Sequence, residues 1–217
     1  MTHSNNCCPV ERIDDIRLAN GQRVVLRPAL ERDLHLHGPY FDGLSNESRY
    51  NRFFNPTPRT TAKMLRHLLH SDCRCHVALL AEHISGDKGM VIAEARYKVA
   101  ENGGSAEFAL SVADQFHGLG LGKLLLDRLV CAASRAGLGR LVGETLATNN
   151  RMLRLARKAG FALTSDPQHL YLVRLEKPLD PTAAGRRTLT VPLGTAAECR
   201  SAELAAEVAQ ARSTQAA

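Results

Sequence analysis

The sequence predicts an α/β domain of the α+β kind, in which antiparallel strands lead into a glycine-rich turn and a long helix. Three observations carry this. His76 to Glu82, Gly89 to Val99 and Ala106 to Val112 read as strand-length runs, separated by turn signals at Ser85 to Gly89 and at Asn102-Gly103-Gly104. From Leu121 the apolar residues fall at helical spacing instead, at Leu121, Leu124, Leu125 and Leu129, with Lys123, Asp127 and Arg128 on the other face. Between the two patterns stand Gly118, Gly120 and Gly122.

The chain has 217 residues, enough for one domain with a real core. Hydrophobic residues make up 44% and charged residues 23%, an ordinary globular balance. No apolar run approaches the length of a membrane span, and the N-terminal MTHSNNCCPVERIDD has no apolar signal region. A cytoplasmic protein without a membrane partner is expected. The formal charge of +6 raises the question of nucleic acid, but no Lys/Arg run exceeds two residues and aromatics are only 5%. No nucleic-acid partner is therefore expected, and a positive surface suits an acidic small molecule equally well. Cys73 and Cys75 are too close for a usual zinc pair, and the remaining cysteines form no ligand pattern, so buried or free thiols and no metal are expected.

Taken in order, residues 1–9 read as a flexible N-terminus, 10–179 as the domain, and 180–217 as a linker and Ala-rich tail, helical or disordered. Gln22 to Pro28 reads as the first strand and Leu30 to Leu34 as the helix after it. Ser45 is a good N-cap for a helix in which Tyr50, Phe53 and Phe54 share one face and are expected to dock on the core. Arg49 and Arg52 fit either a salt-bridged surface, the favoured reading, or the rim of an acceptor site. Thr60 caps a helix to about His70, carrying Met64, Leu65, Leu68 and Leu69. Gly137-Leu138-Gly139 stops the long helix. Arg140 to Ala147 follows as a strand, Thr148 to Phe161 as a capped helix closed by Gly160-Phe161, and His169 to Leu175 as the last strand.

Three alternate glycines opening a helix have a physical use. The first helical turn leaves backbone N–H groups unpaired, and the macrodipole is positive there. Removing side chains lets an anion approach that backbone, so the stretch suits a diphosphate seat as well as a plain glycine turn. It is not a P-loop, because Gly122-Lys123 is followed by Leu124. Nor does GxGxG match the GxGxxG of a dinucleotide fold.

Val112-Ala113-Asp114-Gln115-Phe116-His117-Gly118-Leu119-Gly120-Leu121-Gly122 resembles the acetyl-CoA motif of the GNAT N-acetyltransferase superfamily. His117 stands where that family usually has Gln or Arg. The segment Asn149 to Phe161 resembles the family's second CoA-contacting motif, with the family Asn on Asn149. The wording LSxESRYxRFF, from Leu44 to Phe54, resembles domains of bacterial protein-lysine acetyltransferases. The resemblance implies a mixed, mostly antiparallel sheet flanked by helices, and acetyl-CoA as cosubstrate with no metal. It places Val112, His117, Gly118, Leu119, Gly120, Gly122, Lys123 and Asn149 at the cofactor. Arg151 or Arg154 could reach the 3′-phosphate of CoA or form a wet face, the latter being favoured. The family often carries a Tyr as general acid where this chain has Ala156, and Tyr171 is a weak substitute.

A lysine-like amine with a pKa of about 10.4 is roughly 0.04% neutral at pH 7, a cost of about 4.6 kcal/mol before it can attack a thioester. A fixed carboxylate can take that proton directly or through a water. Glu107 is an acid in an otherwise apolar strand, and either faces solvent there or acts on substrate. The resembling protein-acetylating domains place the catalytic Glu in an AEFAxxV strand, which implies Glu107 as general base, with Glu144 as the fallback. The activity implied is direct transfer of acetyl to an amine, the oxyanion being held by a backbone N–H near Val112. The acceptor expected is a protein lysine ahead of a small amine. A homodimer is left open. The alternative is a non-catalytic acyl-CoA-binding sensor or interaction module on the same scaffold, which the missing Tyr allows.

Overall fold

Eight strands form one sheet in the order β1-β2-β3-β4-β5-β6-β8-β7. The structure is a computed structural model and describes residues 14–55, 60–69, 71, 75–85, 88–101, 103–165 and 169–180. The strands are β1 (Asp14–Arg17), β2 (Arg23–Pro28), β3 (His76–Ser85), β4 (Lys88–Val99), β5 (Ser105–Val112), β6 (Arg140–Leu146), β7 (Ala162–Ser165) and β8 (Leu172–Pro178). The helices are α1 (Leu34–Asp42), α2 (Asn46–Phe53), α3 (Ala62–Leu69), α4 (Leu121–Arg135) and α5 (Asn150–Lys158). Every neighbouring pair is antiparallel except β5 with β6, which is parallel because α4 carries the chain back across the sheet. This is the mixed, mostly antiparallel sheet that was expected.

Both faces of the sheet are covered, so β3 is buried at every position from His76 to Ala81. One core gathers Val24, Ile92, Phe108, Leu125, Leu129 and Leu141 beneath α4. The other gathers Tyr40, Phe41, Leu65, Leu68, Leu80 and Val91 beneath α1 and α3. The glycine stretch follows β5 and opens α4, on the face that α4 covers.

Several elements depart from the sequence reading. β1 and β7 have four residues each at the two edges of the sheet, too short to show a strand period. The helix expected over Leu30 to Leu34 is a 3-10 turn at Glu31–Asp33 that runs into α1, which continues through Gly38 and Pro39 because burial of His37, Tyr40 and Phe41 outweighs their local preference. On α2 only Phe53 turns to the core, with its ring 5.2 Å from Phe41. Tyr50 and Phe54 remain 44% and 39% exposed, against the expectation that all three would dock. Thr61 rather than Thr60 caps α3, accepting from the Met64 N–H at 3.2 Å. The last strand lies three residues later than expected, because β8 pairs with β6 from Leu172 to Pro178. Tyr171 is left outside the strand and 61% exposed. Cys131 is a free thiol, and Cys75 is buried and disulfide-bonded. Residues 1–13, Pro56 to Arg59, His70 and the Ala-rich tail after Asp180 lie outside the described residues.

Candidate active site

β5 is paired with β4 from Ala106 to Val112, in the register Val99↔Ala106 to Ala93↔Val112. Its pairing with β6 stops after Ser105, Ala106 and Glu107. From Phe108 onward the two parallel strands part, and one edge of β5 is open. The Phe108 ring covers Gly143 of β6 where they separate, and a Cβ at Gly143 would lie 2.6 Å from that ring. A cleft of about 870 Å³ occupies the opening, bounded by β5, β6, the glycine loop, α2 and α5. An unpaired strand edge inside a cleft offers N–H and C=O groups to an extended, amide-bearing ligand.

The glycine loop forms one wall. Gly118 and Gly120 have φ of +79° and +88°, which a side chain adopts only with strain, and open space surrounds both. Gly120 begins α4, whose N-terminus carries no capping side chain. Its first-turn N–H groups therefore stay free beside the cleft that Gly118, Gly120, Gly122 and Lys123 line. Gly122 has a second duty: a Cβ there would meet Leu155 of α5 at 3.3 Å, so it also lets the two helices approach. His117 Nε2 donates to the Val112 carbonyl at 2.9 Å, tying the loop to the end of β5 and fixing the ring tautomer. Leu119 packs against the core beneath α4.

Asn149 caps α5, its side-chain oxygen accepting from the Met152 N–H at 3.1 Å. Arg151 and Arg154 are exposed, as a wet face requires, and with Lys158 of that helix they also line the cleft. Thr145 of β6 also lines it, is 1% exposed, and its hydroxyl has no hydrogen-bond partner. A buried orphan hydroxyl at an open strand edge is a polar group waiting for a ligand amide. Ala156 is fully buried in the core and turned away from the cleft.

Helix α2 closes the other wall with Glu47, Ser48, Asn51, Arg52 and Phe54. The Asp114 carboxylate, in the turn after β5, clasps its start: it accepts from the Ser45 N–H at 2.9 Å, the Ser45 hydroxyl at 2.8 Å and the Ser48 hydroxyl at 2.7 Å. Burial pushes the Asp114 carboxyl up, but these hydrogen bonds and the nearby His117 outweigh it and hold it below its ordinary range. Arg49 donates to the Asp42 and Leu44 carbonyls at the end of α1. Arg52 is not a surface residue. Its side chain is 8% exposed and its Nε donates at 2.6 Å to Glu94 of β4, itself 3% exposed. Ser111 of β5 donates to the same Glu94 oxygen at 3.1 Å. Tyr40 is 2.9 Å from the Ser111 oxygen and must be the donor, since the single Ser111 proton points to Glu94. Burial raises the Glu94 carboxyl, and the charge and hydrogen bond of Arg52 more than reverse this, so it stays ionised.

Glu107 is exposed and lines the cleft where β5 and β6 separate. Glu144, two residues beyond Val142 on β6, lines it too. Among the residues that sequence reasoning missed, Glu94 had a visible signal. It is a carboxylate inside the apolar run Val91-Ile92-Ala93-Glu94-Ala95, the same pattern that singled out Glu107. Asp114 and Thr145 had none, because their roles depend on contacts with α2 and with the open edge.

A family profile described as an acetyltransferase (GNAT) domain matches residues 23–162, the span that holds β2 to the start of β7 and all five helices. The chain belongs to the GNAT acetyltransferase family. The GNAT domain of PAT from S. lividans is 31% identical, superposes with a TM-score of 0.69, and matches over 77% of this chain and 97% of that one. A curated acetyltransferase of Pseudomonas aeruginosa is 28% identical over 73% of this chain and 82% of its own length. The acetyltransferase Pat of Mycolicibacterium smegmatis is 27% identical over 75% of this chain, which spans about half of that relative, 48%. The GNAT chain is thus an N-acetyltransferase in class. No helix among the described residues is long and apolar enough to cross a membrane. No group of three or more His, Cys, Asp or Glu among them could hold a metal ion.

Proposed function

We propose that this acetyltransferase moves the acetyl group of acetyl-CoA to a primary amine by direct attack, with Glu107 as general base. The observation that carries the reading is the parting of β5 from β6 directly after Glu107, which sets a carboxylate at the mouth of an open strand edge. The pantetheine amides pair with that edge and with the Thr145 hydroxyl. The pyrophosphate sits on the free N–H groups from Gly118 to Lys123, and Arg151 and Arg154 face the 3′-phosphate. Val112, His117, Leu119 and Asn149 act on the cofactor mainly by fixing the strand end, the loop and the start of α5. The amine loses its proton to Glu107, its nitrogen forms the C–N bond, and the C–S bond breaks to release CoA as thiolate. A backbone N–H of the free β5 edge near Val112 stabilises the oxyanion. A CoA thiol resembles Cys in acidity, so the thiolate can leave without the Tyr that Ala156 replaces.

A protein lysine is the favoured acceptor, because LSxESRYxRFF forms the open α2 wall of the cleft and the similar chains include two proteins named Pat or PAT. Glu107→Gln is expected to lower turnover by about 10²-fold or more while leaving CoA affinity in place. The measurement is thiol release with lysine peptides, polyamines and small amines from pH 6 to 9. Equal rates for parent and variant would move the base to Glu144. Full CoA binding with no turnover on any amine would favour the sensor reading.

A further inference from the structure

Arg52 presents an unusual account of hydrogen bonds. Its side chain is nine-tenths buried, it lines the cleft, and of its five N–H donors only Nε–H is used, on Glu94. Nη2 is buried without a partner. A buried guanidinium N–H left unused is costly unless a ligand completes it. Planar two-point donation suits a carboxylate better than a neutral group. Phe41 and Phe53 lie against the guanidinium, at 6.0 and 5.0 Å from its centre, and hold its plane.

We infer that Arg52 reads a carboxylate at the far end of the transferred acyl group, so that the enzyme accepts dicarboxylic acyl-CoA thioesters of the succinyl class. The position follows from register, and it rests on the proposed seat of CoA along the β5 edge. Arg52 is anchored through Glu94 beside Ser111, which is the residue paired with Glu94 across β4 and β5. Ser111 is four residues from Glu107 on the same face of β5, about 13 Å along the strand. A thioester held on the free β5 edge near Val112 lies beside Ser111, and so on the side of Arg52, where the far end of a short acyl chain can meet it. The surroundings fit a small anion: Arg52 and Arg96 stand close enough that Arg52 adds to burial in lowering the Arg96 pKa, against Glu94 and Glu107 acting the other way. In the transfer itself the amine nitrogen bonds the thioester carbon, the C–S bond breaks, Glu107 takes the amine proton and the remote carboxylate is unchanged.

The test compares succinyl-CoA with butyryl-CoA, its neutral chain of equal carbon count, and with free CoA, by calorimetric titration of the full chain. The parent should bind succinyl-CoA about tenfold or more tightly than butyryl-CoA. Arg52→Lys, which keeps a charge for Glu94 but loses the fork, should shrink that margin while free CoA affinity is retained. Equal affinity of the parent for the two thioesters overturns the inference, and this comparison needs no variant to fold. A margin unchanged in Arg52→Lys overturns it as well. If the thioesters are equal but glutamate, as acceptor, loses KM selectively in Arg52→Lys, the carboxylate belongs to the acceptor and the acyl assignment falls. Failure of free CoA to bind would instead remove the proposed function beneath it.

Discussion

The two walls of the cleft are built from different materials. The glycine-loop wall is main chain: positive-φ glycines, an uncapped helix start and an open strand edge. The α2 wall is side chain: Arg52 on Glu94, Glu94 on Ser111, Ser111 on Tyr40, and Asp114 on two serines. Main-chain recognition needs a backbone shape, which a few spaced glycines supply. Side-chain recognition needs charges brought from three distant segments and neutralised against one another. Asp114 joins the walls, so a change on one side need not stay there.

The largest effect is expected from opening the buried pair. Glu94→Ala leaves the Arg52 charge without its carboxylate, and should lower folding stability by about 3–5 kcal/mol in denaturant titration. The CoA-induced rise in melting temperature should survive in the folded fraction, since the loop wall is untouched. Losing that rise would mean that the walls are not separable. The same pair sets an acid limit. The folded Glu94 pKa lies below its unfolded value, so its contribution is present above about pH 4 and is lost as pH falls through the folded pKa. Glu94→Gln should flatten that acid limb.

A middle-sized effect should come from the other wall. Gly120→Val forces a branched side chain to φ +88°, at about 1–3 kcal/mol of strain, and should also abolish the CoA-induced melting shift. Gly122→Ala only asks Leu155 to give by a few tenths of an ångström and should keep much of the shift. Equal loss in both variants would mean that any Cβ along the loop blocks the anion, and that the φ of Gly120 is not the deciding feature.

The smallest effect concerns His37, which is 1% exposed with neither ring nitrogen hydrogen-bonded. Burial lowers its pKa, with Arg52 and Arg27 adding to this and Glu94 and Asp33 opposing it. With the folded pKa below the unfolded one, its contribution is fully present above about pH 6.5 and is lost as pH falls toward the folded value. His37→Phe keeps the stack on Phe41, at 5.5 Å in the parent. It should remove the slope of stability against pH just below 6.5, read from melting temperatures at several pH values. A slope unchanged in the variant would place the titrating group elsewhere.

The sequence by itself determined the central strands, α4, α5 and the loop between them. Their signals are local: a period of two, a period of 3.6, glycines at fixed spacing, and a capped helix closed by Gly160-Phe161. A main-chain site inherits that legibility. What only the tertiary structure decided is the fate of side chains whose partners are far away in sequence. Arg52 read as surface until Glu94, 42 residues on, drew it inside. Tyr50 and Phe54 read as core, yet α2 is held by Asp114 and Glu94 and leaves both exposed. Helix α1 formed through Gly38 and Pro39 because burying Tyr40 and Phe41 outweighed their local preference. Periodicity records which backbone a segment prefers. Where a charge finds its counter-charge is set by long-range packing, and no single window of sequence contains it.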